Sequence, residues 1–283
     1  MRLWLIIVLT LLAVAAAGLG LLTEISSSTP YSPFNVGGNG YSSLASLLNA
    51  SVLTGPGSVS DTILLPLAHE LGPEEYDWLK DFVMKGGTLV ILDESGYSNV
   101  FLSDYLNIPA DIRDSKLYDY VTGLGENGSI VAANVSIGGR ELVCYFFKPS
   151  LIDVFGHVDV LGQTSPFVYA DFDNNGFFSV GDRFDEWSVV VHATVANGSV
   201  FILSDLDVFS NSFISLGNNS ALAKALARGT VGIYLGGLNA SFLDYFKAYT
   251  VYSRSFSGTL AELLSLSLIA VVIGFGRRWA VFA

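Results

Sequence analysis

Asp171, Asp173 and Asn175, followed by Gly176, Ser179 and Asp182, carry the sharpest chemical pattern in the chain. Over 171–182 the order is Asp-Phe-Asp-Asn-Asn-Gly-Phe-Phe-Ser-Val-Gly-Asp. Oxygen-bearing side chains fall at loop positions one, three, five, nine and twelve, and glycine falls at six, where an EF-hand-type loop turns sharply. The carbonyl of Phe177 would serve at position seven. A hard cation that takes six to eight oxygens can be wrapped by this spacing. Calcium is therefore the expected cofactor, with Asp171, Asp173, Asn175, Phe177, Ser179 and Asp182 as ligands, in a stabilising role and with weak affinity. The bland alternative is an ordinary acidic turn, and Asp at position twelve reaches less far than the usual Glu. The pattern predicts a metal site and no reaction.

A second group of residues gains meaning only from the elements that place it. Thr62–Leu67 and Thr88–Leu92 are continuous apolar runs, the pattern of strands buried on both faces. Between them, Gly72-Pro73-Glu74-Glu75 opens a helix whose face is Tyr76, Leu79, Phe82 and Val83, and Gly86-Gly87 ends it. A helix from about Ser98 to Leu106 is expected next, and further helices over Ser42–Leu48 and about Asn219–Ala227. The strand–helix–strand order argues for a mostly parallel sheet. Residues 129–160 change character: Ile130–Ile137 and Glu141–Phe147 flank Gly138-Gly139 as an antiparallel insertion, and Ser188–Val195 and Ser199–Leu203 flank an Asn197-Gly198 turn.

Ligands of open α/β sheets bind beyond the carboxyl ends of the strands. Here those ends carry Asp93-Glu94-Ser95 and Asp205-Leu206-Asp207, and the glycine loop around Asn39 leads into the first helix of the domain. Asp93, Glu94, Ser95, Asp205, Asp207 and Asn39 are accordingly the candidate ligand-binding residues, against the plainer reading that the acids only cap the next helix. His69, His157 and His192 show no zinc spacing, and no nucleophile elbow is present. Cys144, the single cysteine, sits in an apolar strand-like run, so a buried structural thiol is expected and no intrachain disulfide can form.

The chain has 283 residues and a net charge of −12, which argues against a nucleic-acid partner. Residues 3–22 carry no charge, and a second apolar run spans 263–276. Each is of the length a membrane helix needs, about 20 residues with flanks. Arg2 precedes the first, and Arg277 and Arg278 follow the second, so both ends are expected on the cytoplasmic side. This reading divides the chain into a span at 1–23, an extracytoplasmic α/β domain at 24–257 and a span at 258–283, with a membrane-protein partner. A cleaved signal peptide is the alternative for the first segment. Asn-X-Ser sequons at Asn49, Asn127, Asn134, Asn197, Asn218 and Asn239 fit a glycosylated outer domain, although Asn-Gly-Ser is also simply a turn.

Three stretches, Tyr31–Leu48, Glu74–Asp93 and Gly198–Asn211, together resemble the family called domain of unknown function 4350. The resemblance implies a membrane-anchored prokaryotic, often archaeal, protein. It also implies a fold like that of class I glutamine amidotransferases or flavodoxins, similar to the gliding-type auxiliary component of some ABC transporters. Those amidotransferases need a Cys nucleophile on the turn after a central strand, with His and Glu. The turn after Leu92 is Asp93-Glu94-Ser95-Gly96, so glutaminase activity is not expected. The expected function is a non-catalytic, calcium-stabilised ligand- or partner-binding domain, as an accessory subunit of a membrane or transport complex. The rivals are a hydrolase-like enzyme using Asp93, Asp205 and Asp207, and a cell-surface structural or adhesion module.

Overall fold

The two apolar runs form neighbouring strands, and their alternating side chains feed two separate cores. Leu64, Val90 and Leu92 enter one core, where they meet Tyr41, Leu44, Leu222 and Leu226. Ile63, Leu65, Leu89 and Ile91 enter the other, under Tyr76, Leu79 and Val83. Burial on both faces is why no polar position interrupts these strands.

A computed structural model describes residues 2–56, 60–121 and 123–252. In chain order the elements are α1 (Arg2–Glu24), α2 (Ser42–Leu48), β1 (Ser51–Leu53), β2 (Thr62–Pro66), α3 (Pro73–Met84), β3 (Thr88–Leu92), β4 (Ala110–Tyr118), β5 (Ile130–Ile137), β6 (Arg140–Phe147), β7 (Ser150–Val154) and β8 (Asp159–Thr164). Then follow β9 (Val168–Asp171), β10 (Arg183–Asp185), β11 (Ser188–Val195), β12 (Gly198–Leu203), α4 (Asn219–Leu226), β13 (Val231–Tyr234) and α5 (Phe242–Tyr252). Residues 28–240 make one compact unit, and the described terminal segments, 2–27 and 241–252, belong to a second.

The larger unit holds a nine-stranded sheet, β1-β13-β2-β3-β12-β11-β8-β5-β6, and a four-stranded sheet, β10-β9-β4-β7. Only the first five strands of the large sheet run parallel. From β12 onward every pairing is antiparallel, as is every pairing of the small sheet. The expectation of a mostly parallel sheet flanked by helices, like a glutamine amidotransferase or flavodoxin, is thus corrected to a sheet-rich, mixed α/β fold. The antiparallel region is no insertion but half of the architecture. The helix expected over Ser98–Leu106 shrinks to a π-type turn at Phe101–Tyr105. The two hairpins form as read: β5 pairs β6 and β11 pairs β12. In β5, Val131, Ala133, Val135 and Ile137 face inward while Asn134 and Ser136 face out, the period-two pattern of a half-buried strand.

Among the described residues no helix is long and apolar enough to cross a membrane. The expected first span falls in α1. The expected second span lies outside the described residues. The two spans, the membrane partner and the membrane localisation with both termini cytoplasmic are therefore not supported. All six sequon asparagines are exposed.

Asn219, fully buried at the start of α4, ties the antiparallel half to the rest of the unit. Its Nδ2 donates to the carbonyls of Tyr145, Val208 and Phe213, and its Oδ1 accepts from the Tyr145 amide. Asn219→Ala strands several buried polar groups at once, so a loss of about 2–4 kcal/mol is expected in urea unfolding. A loss below about 1 kcal/mol would show that water reaches those carbonyls.

Candidate functional site

β3 and β12 are adjacent and parallel, so the residues after Leu92 and Leu203 emerge side by side at one edge. Asp93 is fully buried, and its carboxylate is used locally. It accepts from the amides of Ser95, Gly96 and Ser98 and from the Ser98 hydroxyl. It folds the turn, and Ser95 is engaged in that same turn. Glu94 points elsewhere: one carboxylate oxygen each from Glu94, Asp205 and Asp207 lie within 4.8 Å of one another.

The cluster is framed by donors. Asp205 accepts from the amides of Phe147 at 2.8 Å and Asp207 at 2.7 Å. Tyr31 Oη donates to Asp207 Oδ2 at 3.3 Å. Lys116 Nζ lies 3.9 Å from Glu94 Oε2 and donates to the Glu94 carbonyl at 2.9 Å, which Ser150 Oγ also contacts. Lys116 is the ammonium that acts on Glu94 and Asp207. Burial first, then mutual repulsion, raises Asp205 well above the ordinary carboxylate range. Burial also raises Glu94, although Lys116 opposes it, and raises Asp207, although the Tyr31 hydrogen bond and Lys116 oppose it. Like charges at this spacing must share a proton or a cation.

Tyr31 and Tyr41, which the strand-end reading missed, bracket the glycine loop it included. The loop closes through Tyr31 N–H to the Asn39 carbonyl and Tyr41 N–H to the Ser32 carbonyl. A Cβ at Gly40 would overlap the Asn35 carbonyl, so glycine is required there. The closure sets the two rings 5.5 Å apart, and Tyr41 Oη donates to the Leu206 carbonyl. Asn39 Oδ1 accepts from Asn35 Nδ2, so its side chain shapes the loop and is not placed in the cluster. Two tyrosines flanking a glycine run were the available signal. Lys116 and Ser150 come from β4 and β7 and carried none.

The loop at 171–182 gathers a second set, with carboxylate oxygens of Asp171, Asp173 and Asp182 also within 4.8 Å of one another. Asp171 is buried at the end of β9 and accepts from the amides of Asn175 and Gly176. Gly176 turns at φ +82°, where a side chain would be strained. Asp182 accepts from the amides of Phe172 at 2.9 Å and Ser179 at 2.6 Å, which closes the loop. Asn175 Nδ2 and Ser179 Oγ both donate to Asp173 Oδ2. The Phe177 amide donates to Asn175 Oδ1. Carboxylates of positions one, three and twelve thus converge, with the position-one carboxylate bonded to the turn amides. That donor set fits a hard, oxygen-seeking ion.

Cys144 lies in mid-β6, buried, and burial pushes its thiol up to about 12. A thiolate is the reactive form, so a thiol reagent such as DTNB should label Cys144 only after denaturation. Labelling of the native protein within minutes would contradict this placement. Neither His69 nor His192 belongs to either cluster, and His192 Nδ1 pairs with Asp159 at 3.0 Å.

Comparison with known proteins adds a family. The profile described as "Domain of unknown function (DUF4350)" matches residues 33–227. No curated protein matches the chain. Among solved structures, the mmIFT52 N-terminal domain is similar at 15% identity and a TM-score of 0.43, over 57% of this chain and 73% of that one. The exo-β-1,4-mannosidase Op5Man5 from Opitutaceae bacterium strain TAV5 is similar at 17% identity and a TM-score of 0.36, over 66% of this chain and 30% of that one. The β-galactosidase from the Antarctic haloarchaeon Halorubrum lacusprofundi is similar at 15% identity and a TM-score of 0.37, over 59% of this chain and 21% of that one.

Proposed function

Given that the chain belongs to the DUF4350 family, whose description names no reaction, we propose that it is a non-catalytic ligand- or partner-binding domain stabilised by calcium. The observation that carries this reading is the convergence of Asp171, Asp173 and Asp182 on a loop that turns at Gly176. Asp171, Asp173 and Asp182 would hold the ion by carboxylate, with Asn175, Ser179 and the Phe177 carbonyl completing an oxygen set. Weak affinity, in the 10⁻⁴–10⁻³ M class of extracellular modules, follows from the exposure of Asp173 and the short reach of Asp182. Calorimetric titration with calcium tests it: one saturable site, lost in Asp173→Asn, is expected. Absence of heat up to about 10 mM calcium would reduce the loop to an acidic turn.

A second reading, a hydrolase-like enzyme, is favoured by Glu94, Asp205 and Asp207 meeting at the carboxyl ends of adjacent parallel strands. Asp93 has no part in it, because its carboxylate serves the turn. A divalent-dependent turnover of ester or phosphate substrates that vanishes in Glu94→Gln would establish this reading in place of the first.

A further inference from the structure

Phe172 of the acidic loop and Arg183 just after it line a groove of about 550 Å³. The opposite wall comes from an irregularity in β4. The pairing with β7 runs from Ile112↔Ile152 to Lys116↔Ser150, so Arg113, Asp114 and Ser115 bulge opposite the single residue Leu151. A bulge re-aims side chains, and all three of these line the groove. Loop and bulge are stitched together. Asn174 Nδ2 donates to the Asp114 carbonyl at 3.1 Å, and Ser115 Oγ donates to the Asp171 carbonyl at 3.0 Å. The two ends of the loop supply the remaining chemistry: Phe172 follows the first acid, and Arg183 follows the last.

The two guanidinium groups of the groove differ. Arg113 is committed to Asp153, with Nη2 at 2.8 Å and Nε at 3.2 Å. Arg183 has no carboxylate within ion-pair distance among the described residues. Its guanidinium instead lies 5.1 Å from the centre of the Trp187 ring and 5.8 Å from that of Phe172. Trp187 is itself pinned by its Nε1–H to the Val168 carbonyl at 3.0 Å. Stacking holds the planar fork in place while leaving its N–H edges open to a ligand. The exposed Phe172 and the half-buried Val154 give the groove apolar surface beside it, while Leu151 and Ile152 are buried at its lining.

We propose that this groove binds a small carboxylate with an apolar body, paired to Arg183, and that a cation in the 171–182 loop gates the binding. The second half rests on the calcium reading above. Asp114, Asp153 and Glu186 line the same groove, and the loop acids Asp171 and Asp182 directly precede its lining residues Phe172 and Arg183. Without a cation these carboxylates repel an anionic ligand. A divalent ion adds two positive charges beside Arg183 and fixes both Phe172 and Arg183 through their loop ends. Linkage makes the effect reciprocal, so the ligand tightens the ion.

Fluorine NMR with 4-fluorobenzoate, and with 4-fluorobenzamide as its neutral counterpart, tests the proposal on the full chain. With saturating calcium, the benzoate should bind at least ten-fold tighter than the benzamide. In chelator its affinity should fall at least five-fold. Arg183→Gln should remove the preference for benzoate while keeping the calcium-induced thermal shift, which shows that the loop remains folded. Equal binding of the two probes, or an unchanged preference in Arg183→Gln, overturns the carboxylate site, and a retained thermal shift then leaves the calcium reading standing. Arg183-dependent benzoate binding that is identical in calcium and chelator overturns the gating. If the thermal shift is also absent, the calcium reading falls with it.

Discussion

Saturating calcium should raise the melting temperature of this protein by several degrees, and Asp171→Asn and Asp173→Asn should each abolish the rise. The size follows from linkage. At about 10 mM calcium and a dissociation constant of 10⁻⁴–10⁻³ M, binding to the folded state alone contributes about 1.4–2.7 kcal/mol. For a domain of this length that is roughly 3–10 °C. The readout is the calcium-induced shift, because the two substitutions differ in their baseline. Asp171 holds the amides of Asn175 and Gly176, so its Asn variant melts lower even in chelator. Asp173 is exposed, so its variant should lose less than the Asp171 variant in chelator and diverge further with calcium. A loss of equal size with and without calcium in both variants would mean that the loop is a turn.

That loop was legible in the sequence because its chemistry and its geometry are encoded in the same twelve residues. The strand-end cluster was legible only in part. The apolar runs ending at Leu92 and Leu203 marked where acids would emerge, and the structure brings Glu94, Asp205 and Asp207 together there. Which of the neighbours Asp93 and Glu94 would face the cluster depends on the turn that Asp93 itself closes, a contact between side chain and backbone that spacing does not reveal. Lys116 arrives from the second sheet, more than twenty residues away, so no local pattern announces it. The fold class departs from the sequence expectation for a related reason. β2, α3 and β3 follow the signals of a parallel sheet faithfully, but their share of the chain is small. The alternating strands that follow outnumber them and pair antiparallel. The groove had no sequence signal, since it is made by a register shift between β4 and β7.

The second large effect is one of pH. In chelator, Asp207→Asn should be more stable than the parent at pH 7, and the advantage should vanish near pH 4. Asp205, Glu94 and Asp207 all have raised values in the folded protein, each mainly through burial. Unfolded, such groups titrate near about 3.9–4.3. Between there and the raised folded values the native state binds more protons than the unfolded state, so stability falls as pH rises through that window. Asn cannot ionise, so it removes one of the three repelling charges, yet its Oδ1 can still accept from Tyr31. Asp61 and Asp173 shift downward and tilt the parent's profile the opposite way. The comparison of variant with parent cancels them. Urea unfolding across pH 4–8 checks this, and a variant less stable than the parent at both ends would show that the Asp207 carboxylate is a net support of the fold.

The order of strands in the large sheet also sets a timetable. β13 lies between β1 and β2, although about 170 residues of chain separate them in sequence. The hairpins β5–β6 and β11–β12 can close as soon as they leave the ribosome, because their partners are neighbours. The parallel half cannot: until Val231–Tyr234 is made, β1 and β2 face an empty slot, each with unpaired backbone groups and apolar faces. Such late, long-range closure slows folding and exposes nascent strands to misassociation. A chain stopped before residue 231 therefore retains local hairpins while its β1 edge stays open, and it should depend on chaperones in a way the finished protein does not.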